Sequence, residues 1–263
     1  MSLLNKKSKI VVKLGSNTLT HETGSLNLRR MERLACILSD FKNQGHQIIL
    51  VSSGAVAAGM ARLGLERRPD SIEEKQALAA VGQAELMQVY ERFFAAYGHV
   101  VGQLLLTKDV IDIPARRQSA ENTFRQLLEM RVIPIVNEND PISIEELKFG
   151  GNDTLAAYVA LICGADILIN MSDIDGLFDS DPRKNPDAML ITRVDEINDR
   201  ILSYAGGAGT DRGTGGMITK IKAAQIVTEA GIPMLIVNGK NPAVLYDISD
   251  GRHIGTYFAA KKS

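Results

Sequence analysis

Residues 150–182 read GGNDTLAAYVALICGADILINMSDIDGLFDSDP, and the architecture of the chain turns on them. Gly150 and Gly151 allow a tight turn, Asn152 is placed to N-cap the next segment, and Thr154 to Cys163 is small and apolar enough for a buried helix. Asp153 then falls in the first helical turn. Gly164 ends the helix, and Asp166 to Asn170 (DILIN) reads as a strand buried on both faces. Ser172, Asp173 and Asp175 crowd the C-terminal edge of that strand, where open parallel α/β sheets bind ligands. The head of the stretch has the character of a substrate end and its tail that of a nucleotide end. Taken alone, it is equally a crossover unit whose polar residues serve only as caps and turns.

On both sides of this stretch, apolar β-rich runs alternate with helical patterns along all 263 residues, with no repeat and no low-complexity tract. Strands are expected at Ile10 to Leu14, Gln47 to Ser52, Val100 to Leu106, Val132 to Val136, Ile167 to Asn170 and Met234 to Val237. Most are short and continuously apolar, which predicts a mostly parallel sheet covered by helices on both faces. Helices are expected at Leu28 to Asn43, Ala55 to Leu63, Glu73 to Tyr97, Ala115 to Met130, Asp153 to Cys163 and Met217 to Ala230. In the third, Leu78, Val81, Leu86, Val89, Tyr90, Phe93, Phe94 and Tyr97 keep helical spacing, a stripe for the core or a subunit contact. ISIEEL, between Asp140 and Lys148, alternates enough for a small hairpin strand beside a cleft or on the plain surface.

Hydrophobic residues make up 45% and charged residues 23%, with a net charge of -1, which argues against nucleic acid or an anionic membrane as the main partner. No apolar run approaches the roughly 20 residues of a membrane span. Cys36 and Cys163 both fall on apolar helix faces as free thiols, which suits a reducing, cytoplasmic setting. The four histidines share no metal-ligand spacing, so no metal-ligand set is assigned.

Four further stretches carry chemistry. Lys13, in VVKLGS, lies at the C-terminal end of the first apolar strand just before Gly15; either it snorkels to water from the strand edge, or it is buried and asks for an anion, which Gly15 lets backbone N–H groups approach. VSSGAVAAGM (Val51 to Met60) turns from strand to helix through Ser53 and Gly54, which makes an anion cradle or a close-packed turn. NENDP (Asn137 to Pro141) sets amides and acids on one turn, able to grip an ammonium or to form an Asx-rich turn. GTGGMITK (Gly213 to Lys220) leads flexible glycines into a helix N-terminus with a lysine one turn in, which makes a phosphate-covering loop or a disordered surface loop ending in a capped helix. No GxxxxGK[ST] and no GxGxxG after a strand is present. Two lysines, two glycine-rich cradles and acidic and amide clusters, without a nucleophile and attendant base, fit phosphoryl transfer better than acyl transfer or hydrolysis. Mg²⁺ then needs no all-protein cage, because nucleotide phosphates and water can hold it with one carboxylate nearby.

In family order, VVKLGS, VSSGAVAAG, KQALAAVGQ (Lys75 to Gln83), GQLLLT (Gly102 to Thr107), VNEND, GGNDT, SDIDGLF, DPR (Asp181 to Arg183) and GTGGMITKIKAA make the chain resemble the amino acid kinase family over nearly its whole length. The resemblance implies an open three-layer αβα sandwich around a mostly parallel sheet. It implies a single domain over residues 1–263, with a substrate half of roughly 1–165 and a nucleotide half of roughly 166–263. The implied reaction moves the ATP γ-phosphoryl group, with Mg²⁺, onto the side-chain carboxylate of L-glutamate, opening proline biosynthesis. Sibling substrates are acetylglutamate, aspartate, carbamate or a nucleoside monophosphate, and a regulator without turnover is the remaining alternative.

By the same resemblance, Lys13 and Lys220 neutralise the transferring group, Asp153 orients them, and Gly15 and Gly54 offer it backbone N–H groups. Ser53, Asp140 and Asn152 hold the glutamate, with Asp140 facing its ammonium. Ser172 and Asp173, with Thr214, Gly215, Gly216, Met217, Ile218, Thr219 and Lys220, hold the nucleotide. Relatives commonly read GDND where this chain has GGND, so Gly151 removes one carboxylate from the amino-group grip. Many relatives continue into a C-terminal PUA domain, whereas this chain stops at GTYFAAKKS. A homodimer or homotetramer and feedback inhibition by proline are further expectations of the resemblance.

Overall fold

The computed structural model describes residues 4, 7–21, 23–67, 69–143, 149–205 and 216–261. Its strands are β1 (Lys9–Leu14), β2 (Gln47–Val51), β3 (Val101–Leu106), β4 (Ile133–Glu138), β5 (Ile167–Ser172), β6 (Leu177–Phe178), β7 (Leu190–Ile191), β8 (Arg193–Val194), β9 (Met234–Asn238) and β10 (Thr256–Phe258). Its helices are α1 (Ser16–Leu19), α2 (Leu28–Asn43), α3 (Ala55–Leu63), α4 (Ile72–Ala95), α5 (Asp109–Asp112), α6 (Pro114–Glu129), α7 (Asn152–Cys163), α8 (Asp199–Ala205), α9 (Met217–Glu229) and α10 (Val244–Ser249).

Eight strands form one sheet in the order β3-β4-β2-β1-β5-β9-β10-β8. The ladders from β3 through β9 are parallel; β10 pairs antiparallel with β9 and parallel with β8. The expected α/β sandwich is therefore present, and the six expected strands and six expected helices each appear within two residues of their expected ends. The chain first builds outward from β1 through β2, then returns to place β5 on β1's other side. That reversal makes the C-terminal ends of β1, β2 and β5 the natural binding crevice.

Strand alternation separates two apolar layers. Ile10, Val12 and Leu14 of β1 face one layer with Met31, Leu34, Leu38 and Phe41 of α2 and Tyr90 and Phe94 of α4. Val11 faces the other with Phe124 of α6, Leu155 and Val159 of α7 and Val227 of α9. By the same parity Ile167, Ile169 and Met171 of β5 belong to the first layer and Leu168 to the second. Lys13 and Asn170 thus point toward α7 and α9.

Local signals set the helix ends. The Ser71 side chain accepts from Glu74 N–H while the Glu74 side chain accepts from the Ser71 N–H, a reciprocal cap on α4. Asn27 caps α2 through Arg30 N–H. The expected stripe is mostly core: Leu78, Leu86, Val89, Tyr90, Phe93 and Phe94 of α4 are buried, Val81 is 37% exposed, and Tyr97, past the end of α4, is 40% exposed.

Asp140 to Ile142 is a 3₁₀ turn, with Pro141 favouring it over a strand; the hairpin strand expected from ISIEEL falls mainly on residues 144–148, outside those described.

α3 and α4 pack backbone to backbone. A Cβ on Gly82 would lie 1.8 Å from Ala55 O, and one on Gly59 would lie 2.0 Å from Leu78 O. Neither neighbour is a flexible side chain, so Gly82→Ala is expected to lower stability by about 3 kcal/mol or more. Denaturant unfolding measures it, and a midpoint equal to wild type would mean that the two helices part without cost.

Candidate active site

Lys13 leaves the apolar pattern of β1 one residue before the strand ends. Its alternation directs it to the face covered by α7 and α9, where Asp153 sits in the first turn of α7 and Lys220 in the first turn of α9. The three are 5%, 2% and 5% exposed. Lys13 Nζ lies 2.6 Å from Asp153 Oδ1, and Lys220 Nζ lies 3.1 Å from Asp153 Oδ2. Two neutral groups complete the carboxylate: Asn170 Nδ2 donates to Oδ1 at 2.9 Å and Thr219 Oγ1 to Oδ2 at 2.7 Å.

Burial pushes the Asp153 carboxyl upward, but the two ammonium groups and their hydrogen bonds win and hold it well below the usual carboxylate range. Burial also pulls the Lys13 ammonium down; Asp153 opposes this, and Lys220 adds to the lowering. With both lysines protonated the cluster carries one net positive charge in a desolvated place. An anion arriving at the β1 and β5 edge would neutralise it.

The second cradle is tied to this cluster through Asn152. Asn152 does not N-cap α7 as expected; Gly151 occupies that position, and Asn152 is the first helical residue. Its Nδ2 instead lies 2.7 Å from Ser52 O, 2.8 Å from Ser53 Oγ and 2.9 Å from Asn137 Oδ1. Asn137 donates onward to Gln83 Oε1 at 2.9 Å, and the Ser52 and Tyr90 hydroxyls pair at 2.8 Å. The short amide ties the loop after β2 and the end of β4 to the start of α7, a distance local helix-cap signals cannot reveal.

Gly54 begins α3 with φ +96°, which a residue with a Cβ adopts at a cost. Gly151 has φ +122°, so an aspartate there must leave this backbone conformation before it can present a carboxylate.

Gly15 departs from expectation: its N–H donates to Met171 O at 3.1 Å, because β1 leaves the sheet alongside the last residues of β5. A Cβ there would lie 3.8 Å from Lys13 Nζ, in the space beside the ammonium. Asp140 opens the 3₁₀ turn that follows β4.

At the end of β5, Ser172 Oγ donates to Asp173 Oδ1 at 3.2 Å, and Asn17 Nδ2 donates to Asp173 Oδ2 at 2.9 Å. Burial raises the Asp173 carboxyl, but these bonds and Lys220 leave it below its usual value. Gly216 caps α9, the Met217 side chain packs against the core beneath it, and Ile218 is 38% exposed. Thr219, expected on the nucleotide, turns its hydroxyl to Asp153 and Gly216 O. Thr214 and Gly215 lie outside the described residues.

The structure thus gathers Lys13, Asp153, Thr219 and Lys220 into one cluster, joins Ser53 to Asn152, and sets Ser172 and Asp173 at the end of β5. Asn137, from the NENDP stretch, joins them, and Asn170, Gln83, Tyr90 and Asn17 are added members. Only Asn170 left a sequence signal, an amide inside a run of buried apolar residues. Cys163 is buried and its thiol is pushed up to about 12, which removes it as a nucleophile.

An αβα sheet with a buried Lys–Asp–Lys cluster at its switch point is a place for an anionic ligand, and the comparisons supply the class. The model of the amino acid kinase family matches residues 8–238. The chain belongs to the amino acid kinase family. It is 56% identical over 259 residues to the glutamate 5-kinase of Clostridium tetani (strain Massachusetts / E88), covering 98% of this chain and 97% of that one. It is 52% identical over 263 residues to the glutamate 5-kinase of Clostridium perfringens (strain 13 / Type A), covering 98% of each. Among solved structures, an isopentenyl phosphate kinase superposes with a TM-score of 0.67 at 16% identity, covering 95% of this chain and 100% of that one. The UMP kinase of Ureaplasma parvum gives 0.65 at 13% identity, covering 97% and 100%. At such identity these two carry the fold alone.

Proposed function

We propose that this chain transfers the γ-phosphoryl group of ATP to the side-chain carboxylate of L-glutamate, giving γ-glutamyl phosphate for proline biosynthesis. The observation that carries the reading is the buried Lys13–Asp153–Lys220 cluster at the sheet's switch point, supported by the identity to glutamate 5-kinases over nearly the full chain. The acceptor carboxylate is already ionised at neutral pH, so the reaction asks for charge neutralisation and alignment rather than a general base. Lys13 and Lys220 supply that charge from β1 and α9, and Asp153 keeps them apart and aimed. Ser53, Gly54 and Asn152, with Asp140 toward the ammonium, form the glutamate end. Ser172, Asp173 and the first turn of α9 form the nucleotide end.

Mg²⁺ fits this donor set as a nucleotide-borne ion. Asp153 already accepts four donors, leaving Asp173 as the carboxylate suited to share the ion. When bound, the ion screens the β- and γ-phosphate charge. Among the described residues no helix is long and apolar enough to cross a membrane. A cytoplasmic setting, a homodimer or homotetramer, inhibition by proline and a single catalytic domain with its two halves belong to the same proposal.

ADP release with Mg·ATP and L-glutamate, run beside N-acetyl-L-glutamate, tests the reading. Turnover with glutamate alone is expected. Activity with the acetylated acid and none with glutamate would move the assignment to a sibling substrate.

A further inference from the structure

β5 reads ILINMS, and its one amide sits where Leu or Ile would pack better. Asn170 is 1% exposed and stands beside Lys13 in the β1–β5 register. Its Nδ2 donates to Asp153 Oδ1, the oxygen that Lys13 also meets. Its Oδ1 is buried with no hydrogen-bond partner among the described residues. The amide cannot turn over to relieve this, because Oδ1 would then face the Asp153 carboxylate. A buried acceptor left unsatisfied so that its partner nitrogen can reach a carboxylate marks a constraint beyond packing.

The arrangement about Asp153 is two-sided. Each carboxylate oxygen has one ammonium and one neutral donor: Lys13 and Asn170 on Oδ1, Lys220 and Thr219 on Oδ2. An incoming phosphoryl group attracts the ammonium groups strongly and the neutral donors weakly. We propose that Asn170 is a positioning residue for phosphoryl transfer: with Thr219 it fixes the Asp153 carboxylate while Lys13 and Lys220 turn N–H groups to the phosphoryl oxygens. The inference rests on the phosphoryl-neutralising roles proposed for Lys13 and Lys220. The charged groups acting on this place are Lys13 from β1, Asp153 from α7, Lys220 from α9 and Asp173 beyond the end of β5.

Asn170→Leu keeps the branching at Cγ, adds bulk and removes the donor. Its kcat should fall about 10- to 100-fold, the span expected for losing a hydrogen bond to a charged group, with KM for ATP and glutamate within about twofold. Its Tm should stay close to wild type, because removal of the unsatisfied oxygen offsets the lost hydrogen bond and the added bulk. Asn170→Asp adds a pH readout. Protonated, the new carboxyl can donate to Asp153 as the amide does; ionised, it repels Asp153. Its activity relative to wild type should therefore fall as pH rises from about 5 to 9.

An Asn170→Leu protein with kcat within twofold of wild type overturns the proposal, as does a kcat loss matched by an equal rise in KM for ATP or glutamate. Should that variant not fold, the pH trend of Asn170→Asp decides, and a pH-independent ratio overturns it. Lys13→Ala separates the two levels. Wild-type turnover in Lys13→Ala means that the reading of the site has failed. An inactive Lys13→Ala beside a fully active Asn170→Leu sinks this inference alone.

Discussion

Lys13→Ala is expected to lower kcat by about three orders of magnitude while leaving a folded protein, and Lys220→Ala should do the same. The size is that of a cation which meets transferring phosphoryl charge in other nucleotide enzymes, since a desolvated ammonium acts there with little screening. Stability should change little for a specific reason. Removing Lys13 takes away a burial penalty and the repulsion from Lys220, and Asp153 keeps Lys220, Asn170 and Thr219. ADP release and a thermal melt on the same preparation make the test. More than a tenth of wild-type kcat with a normal Tm would remove Lys13 from the reaction.

Asp153→Ala should do both kinds of damage. It leaves two buried ammonium groups without their counter-charge, a change that typically costs about 3–5 kcal/mol, and kcat should fall at least as far as in the lysine variants. The pH dependence has a definite sign. Asp153 titrates below its ordinary 3.8 when folded, so its contribution is complete above that value and is lost as pH falls below about 4. In the variant this acid leg disappears. Lys13, whose ammonium form burial disfavours even beside Asp153, then binds its proton more weakly folded than unfolded, so stability should climb as pH rises from 7 toward 10. Urea midpoints across pH for both proteins show it. A variant whose stability is flat from pH 7 to 10 would mean that the ammonium groups had found other partners or water.

Much of this was legible in the chain. VVKLGS announces a charged residue at the end of a buried strand, and GGND followed by TLAAYVALIC announces a helix with an acid in its first turn. Both signals are local, and the sheet delivers them to one place because β5 lies against β1. What escaped depends on distance. Asn152 looks like a cap because caps are set by neighbours within three residues, yet its amide is claimed by Ser52, Ser53 and Asn137. Gly15 looks like an anion donor until β5 places Met171 O beside it. Gly59 and Gly82 lie 23 positions apart in sequence and matter only because α3 and α4 touch. β8 and β10 are two and three residues long, too short for any periodicity, and exist through pairing with β9 and with each other.

The alternation of β1 also guards the fold against its own misassembly. A one-residue slip of that strand would turn Lys13 out of the Asp153 layer and into the apolar layer of α2 and α4, and would carry Val12 into the place of the ammonium. An uncompensated charge in that apolar layer would be costly enough to empty that state. The lysine that serves the reaction therefore doubles as a key that fits the central strand into the sheet in one frame only. Replacing it with an apolar residue would relax a check on assembly as well as remove a charge.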